Sequence, residues 1–483
     1  MFDGRRVFVG AAAAILCYQL LLPPVVGLAD NGDFVKVIGR FGLHGKVYRT
    51  YQFIDTVYEF DPERRWVGAF YSSEILLTLP ALVLNSLLSK DGTFDLRLIG
   101  IIHGALFLAA LWLFAPLLTN VRRAVRMCMY LLILLMYCDV MYVSGLNSFY
   151  MEEPAYLFLL LSAVLYLRVT AWHNKRDAIL LLLCVFLLVA SKTPHAVLGF
   201  FLAALLFATR RTLLPARKQF FAAGAACVIL ASLLMLWKGV PPDYASYPLY
   251  NETFTQILPH SKNVESTLKG LGLDDSYRPL IGKNAFLPDS RMDDPAFRRE
   301  FDRRVSVGKM VLFYVTHPRD AYESLRDSLD EAGRQRLFGN FDIAAGYGPF
   351  AESKAFAYWS NVKQRLFFHH GSRFLFSFLG VSVILSALLW MGRKELSAAA
   401  LAAGFTLIGM AFTELAMSSL LDTSDIVRHH LTFFALFDMM IIATVYLAIS
   451  ATGGRALNAV AKFSPFPRRA HPRTIQEPAS GIE

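Results

Sequence analysis

Five short polar runs in an otherwise apolar chain carry side chains able to do chemistry. Asp30-Asn31-Gly32-Asp33 sets two carboxylates three residues apart around a glycine that lets the backbone turn tightly, so both can converge on a substrate hydroxyl or a metal. The same run would also serve as an Asx-type turn. Residues 147–154 hold adjacent Glu152 and Glu153 at the mouth of a helix, where acids also favour an N-terminus. In Ser191-Lys192-Thr193-Pro194-His195 a single lysine beside two hydroxyls and His195 suits an anionic head group such as a lipid phosphate. Residues 421–430 bring Arg428, a second phosphate candidate, and His429, able to donate a hydrogen bond. The His429-His430 pair is a poor metal site, because adjacent helical residues point about 100° apart. Glu74 lies in the run 72–89 and would act there or simply form the polar side of a surface helix.

These runs need a scaffold, and the composition says what kind. The 483 residues are 55% hydrophobic and 18% charged, against about 45–50% and about 25% for soluble domains. The apolar residues fall in blocks of about 20, the length that crosses a hydrocarbon core of about 30 Å. Spans are expected near 7–29, 98–118, 127–145, 155–171, 178–190, 196–209, 219–237, 372–391, 396–418 and 431–451. The short pair 178–190 and 196–209 reads as two tilted helices or as one re-entrant hairpin broken at Lys192 and Pro194. Gly27-Leu28-Ala29 resembles a leader cleavage site, but the preceding apolar run is too long for one.

Charge fixes the orientation. If 72–89 lies along the membrane surface, Arg5, Arg6, Arg122, Arg123, Arg126, Lys175, Arg176, Arg210, Arg211, Arg217, Lys218, Arg393, Lys394 and the basic tail fall on one side. That side is cytoplasmic by the positive-inside rule, as are both termini. The net charge of +10 is therefore a topology signal, and nucleic acid is not an expected partner. The five cysteines lie in or beside apolar blocks and form neither a disulfide framework nor a metal motif.

The expected architecture is an all-α polytopic membrane protein of about ten transmembrane helices. Its parts are an N-terminal membrane module, 1–238, with a first outer loop at 30–97 carrying the surface helix; a partly helical extracytoplasmic segment, 239–371; C-terminal helices, 372–452; and a cytoplasmic basic tail, 453–483, disordered from 464. From Val240 to Gly371 there are 17 basic and 17 acidic residues, a balance suited to water. Within it, 318–337 interleaves acids and arginines at helical spacing, with Pro318 in the first turn.

All five polar runs then share the outer face. Carboxylates beside phosphate-binding cations at a membrane surface describe an enzyme acting on a lipid-linked phosphate. Lys192 and Arg428 would stabilise charge on a leaving phosphate, and a carboxylate would deprotonate an acceptor hydroxyl.

Asp30 and Asp33 after the first span, the surface helix, the acids Glu152 and Glu153, the Lys192-Thr193-Pro194 turn and Arg428-His429-His430-Leu431 together resemble the GT-C superfamily of membrane glycosyltransferases. In Arg428-His429-His430-Leu431 a histidine stands where many members have tyrosine, and the usual proline is absent. Asn31-Gly32-Asp33-Phe34 and the stretch from Gly339-Asn340-Phe341 to Trp359-Ser360 look similar to bacterial surface-glycan hexosyltransferases of the WsfD type. The resemblance implies a polyprenyl-phosphate sugar donor, a glycan or glycolipid acceptor, and a site facing outward from the bacterial cytoplasmic membrane. It makes Asp33 the first candidate for catalytic base, or for ligand of a divalent ion (Mg or Mn) shared with Glu152 or Glu153; metal dependence is left open. A surface-polysaccharide polymerase or ligase, and a transporter or flippase of lipid-linked saccharides, are the competing readings. Against the transporter, the chain shows no internal repeat.

Overall fold

A computed structural model of the chain describes residues 4–45, 51–65, 70–241, 244–332, 338–393, 398–421 and 425–463. Among these, six helices are long and apolar enough to cross a bilayer: Arg97–Leu118, Glu152–Trp172, Pro194–Leu213, Pro215–Lys238, Ala399–Leu420 and Leu431–Ile449. A bent pair of helices passes the same test only when taken together. Helices Arg123–Tyr137 and Val140–Leu146 meet at 61°, and the Asp139 carboxylate starts the second piece by accepting the Met141 N–H.

The expected count of ten is thus met in part. The first helix, Gly4–Leu20, has 17 residues and stops before Pro23 and Pro24, so it is about 26 Å long rather than about 30 Å. Proline supplies no N–H to continue it. Lys175–Val189 has 15 residues with three charges in its first turn. Gly371–Arg393 runs for 23 residues, with side chains described as far as Ile384. Lys394, residues 333–337, residues 422–424 and the tail 464–483 lie outside the described residues.

The all-α expectation also needs correction. Leu43–Gly45, Val57–Phe60 and Thr93–Asp95 form an antiparallel sheet in that order, with Tyr58 opposite both Gly45 and Phe94. Strands of three or four residues are too short to register as a periodic pattern. Alternation along Val57-Tyr58-Glu59-Phe60 turns Tyr58 inward, against Phe149.

Helix Glu74–Leu88 packs in an inverted sense. Glu74, Thr78, Ala81 and Asn85 are buried, whereas Leu76, Leu79, Val83 and Leu87 are exposed. Asn85 explains part of this, since its Nδ2 donates to the Thr93 carbonyl and its Oδ1 accepts the Asp95 N–H. A helix with its polar side sewn to protein and an apolar side free is suited to lie on a bilayer.

Between the spans Pro215–Lys238 and Ala399–Leu420, residues 249–314 build their own aromatic core around Tyr250, Phe254, Tyr277, Phe297, Phe301 and Phe313. Helix Pro318–Ala332 then packs on Ala398–Leu420 and Gly371–Arg393. Downstream, the chain returns to the start of the molecule. Gly27 and Ala29 N–H donate to the Asn340 and Gly339 carbonyls, and Gly339 N–H donates to Tyr51. These bonds hold the strand-like segment that ends in Asp30-Asn31-Gly32-Asp33.

Candidate functional site

The acidic run is shaped by its own backbone. Asp30 Oδ1 accepts the N–H groups of Gly32 at 2.7 Å and Phe34 at 3.1 Å. Gly32 adopts φ of 98°, open to glycine and strained for other residues. Asp30 therefore orders the turn, and burial, outweighing those two N–H groups, pushes its carboxyl up to about 6. Asp33 is what the turn presents.

Asp33 stands between two cations. Lys36 Nζ lies 2.5 Å from one of its oxygens and Arg428 Nη1 lies 2.8 Å from the other. Burial alone would raise the Asp33 carboxyl, but Lys36 and Arg428 hold it well below the usual carboxylate range. Glu152 is a second anionic centre: Lys192 Nζ is 2.8 Å from its Oε1, His429 Nε2 is 3.6 Å away and Arg428 Nε 3.7 Å away. Burial, reinforced by Lys192 and Arg428, drives the His429 pKa down, so the ring is neutral. Its Nε2 then accepts from Arg428 Nη2 at 3.0 Å.

Arg428 is the hub. Its guanidinium lies 4.5 Å from the centre of the Tyr150 ring, and Asp425 is 3.5 Å away on a third side. Asp425 also accepts from Tyr51 OH at 2.7 Å and from Asn31 Nδ2. Lys36 donates to Tyr244 OH at 2.7 Å. Lys36, Lys192 and Arg428 thus face Asp33, Glu152 and Asp425, drawn from four separate stretches of chain.

The sequence candidates divide accordingly. Asp30, Asp33, Glu152, Lys192, Arg428 and His429 come together. Three others do not. Glu74 is buried against His103 Nε2 at 3.1 Å, inside the packing of the surface helix. His195 pairs with Glu414 at 3.0 Å, because the turn after Lys192 rotates its ring toward the neighbouring span. Glu153 points away from Glu152 to lie against Gly145, a place open only because that residue has no Cβ.

Lys36, Tyr51, Asp425 and Tyr244 join the site without having been singled out. The i,i+3 spacing of Lys36 from Asp33 was a readable signal, whereas nothing in the sequence marks Tyr51 or Tyr244. Among the described residues no three carboxylate, histidine or cysteine side chains converge as a metal site requires. Asp33 and Glu152 are engaged by three cations, which repel a divalent ion, and Glu153 is turned away. The residues present do not fit the metal set Asp33, Glu152 and Glu153.

Residues 5–460 match the YfdI N-terminal transmembrane domain. The chain belongs to that family. The match covers every residue of the cluster, so the YfdI-type domain and the polar site are one unit. No curated protein and no solved structure matches the chain.

Proposed function

We propose that this protein is a membrane glycosyltransferase that moves a hexose from a polyprenyl-phosphate-linked donor to an exported glycan or glycolipid. The reading places the site on the outer face of the bacterial cytoplasmic membrane, with both termini inside. The observation that carries it is Asp33, a carboxylate held between Lys36 and Arg428 beside the Glu152–Lys192 pair. YfdI-family membership and the charge distribution of the loops support it.

The resting ion pairs suggest how such a site works. A donor phosphate competes with Asp33 and Glu152 for Arg428, Lys36 and Lys192, forming charge-assisted hydrogen bonds. Losing its cations restores the basicity of Asp33 at the moment the donor is seated. The acceptor hydroxyl then gives its proton to Asp33 as its oxygen bonds to the anomeric carbon. The bond from that carbon to the phosphate oxygen breaks, and polyprenyl phosphate leaves with the electron pair. Arg428 and Lys192 stabilise the charge that develops there. The likeness of Asn31-Gly32-Asp33-Phe34 and of the 339–360 stretch to WsfD-type enzymes supports an acceptor among surface glycans.

The test is transfer of radiolabelled hexose from polyprenyl monophosphate in membranes containing the wild-type chain or Asp33→Asn. Loss of a general base lowers turnover by about 100-fold or more. Full turnover by Asp33→Asn would overturn the base assignment. Donor that crosses the membrane chemically unchanged would favour a transporter.

A further inference from the structure

Helix Val307–Thr316, like the surface helix Glu74–Leu88, leaves an apolar side exposed, and nothing in the proposed chemistry uses it. Its inner side is held by protein. Met310, Phe313 and Tyr314 are buried in the aromatic core of residues 249–314, and Tyr314 OH donates to the buried Glu252. Its outer side is a single stripe of Val307, Val311, Leu312 and Val315, spaced i, i+4, i+5 and i+8. Leu312 is 60% exposed and Val315 is 70% exposed. No charged side chain falls in the stripe; Lys309 sits at its flank and donates to the Arg304 carbonyl.

Such a stripe in water is a standing cost, since burial of apolar area gains about 25 cal/mol per Å². Something covers it, and three observations identify the occupant as lipid. First, the chain belongs to a transmembrane family, so a bilayer is adjacent. Second, the core that carries the helix is continuous with the end of a membrane-crossing helix, because Leu420 and Leu421 pack against it at the end of Ala399–Leu420. Third, ten residues span about 15 Å, half of what a crossing needs. A helix of that length with one apolar side lies in the interface rather than across it.

We infer that Val307–Thr316 is a second membrane-seated helix, which rests the 244–332 segment on the leaflet at the end of Ala399–Leu420. The segment is therefore held down beside the Asp33–Arg428 cluster at two points, its own helix and the neighbouring span. Its seat does not depend on which reaction the cluster performs.

The experiment uses the full chain in lipid nanodiscs, its five native cysteines replaced, with one cysteine reintroduced at a time and labelled with an environment-sensitive dye. Leu312→Cys and Val315→Cys report on the stripe. Leu230→Cys, exposed on the span Pro215–Lys238, is the lipid-facing control, and Arg299→Cys, exposed on the polar helix Pro295–Arg304, is the water-facing one. Quenching is measured with nitroxide-bearing lipids and with aqueous iodide. The expected result is lipid quenching at 312 and 315 close to that at 230 and several-fold above that at 299, with little effect of iodide. Iodide quenching at 312 and 315 equal to that at 299 would overturn the inference. So would protection from both quenchers, which would assign the stripe to a protein partner or a second copy.

Discussion

Replacing Lys363 by methionine is expected to cost more stability than any surface change. Lys363, on helix Tyr358–Phe367, is 1% exposed, and its ammonium lies 2.6 Å from Asp438, which is 0% exposed. Asp438 stands seven residues into the span Leu431–Ile449, about 10 Å along its axis. The same carboxylate accepts from Tyr142 OH at 2.6 Å and from Trp359 Nε1 at 2.9 Å. Methionine fills the lysine stem but removes the cation, leaving a buried carboxylate with two neutral donors. Breaking one half of a buried pair costs about 3–5 kcal/mol. Neutralising the other half as well, in Lys363→Met with Asp438→Asn, leaves an acceptor for Tyr142 and Trp359 and should recover all but about 1 kcal/mol. Unfolding in mixed detergent micelles compares the single and double variants, with Gln364→Met on the exposed side of the same helix as a control within about 0.5 kcal/mol. The reasoning fails if Lys363→Met costs less than about 1 kcal/mol, or if the double variant is no more stable than the single one.

Two further outcomes concern the site and a third the packing beside it. Because burial raises the folded-state Asp30 carboxyl from 3.8 to about 6, the folded protein holds a proton that the unfolded chain has lost. Stability should therefore fall as pH rises from about 4 to about 6, by up to about 3 kcal/mol. Asp30→Asn should remove that slope in pH-resolved unfolding, and an unchanged slope would assign it elsewhere. Tyr51→Phe and Asp425→Ala remove two ends of one hydrogen bond, so their effects on the donor KM should be non-additive, whereas independent effects would show the contact to be incidental. Gly145→Ala pushes a methyl group into the Glu153 carboxylate and should cost about 1–3 kcal/mol in the same unfolding assay; a neutral result would mean that Glu153 has room to turn.

What could be read in the sequence was mostly what length and charge dictate. Six candidate spans followed from apolar run length, and Asp33, Glu152, Lys192 and Arg428 from the cost of placing charge beside a bilayer. That cost does not say which way a side chain turns. His195 and Glu153 each sit within three residues of a cluster member, yet the turn after Lys192 gives His195 to Glu414, and a step of about 100° around the helix from Glu152 gives Glu153 to Gly145. The break at Asp139 was hidden because Cys138 and Asp139 interrupt the apolar run without a proline or glycine. Its reason is tertiary, since Asp139 accepts the Trp359 and Ser360 N–H groups from more than 200 residues away. Lys363 and Asp438 went unread for the same reason, as each looks solitary until the chain brings them together.

Arg428 and Asp33 are 395 residues apart, and that separation matters while the protein is being made. At about 5–20 residues per second, roughly 20–80 s pass between synthesis of the carboxylate and of its guanidinium partner. Throughout that interval the nascent chain already displays Asp33 and Lys36 to the membrane, but not the hub of the site. The short helix Ile426–His429, directly before the span Leu431–Ile449, thus completes the cluster, so a polypeptide interrupted ahead of it is left without the group that joins its two anionic centres.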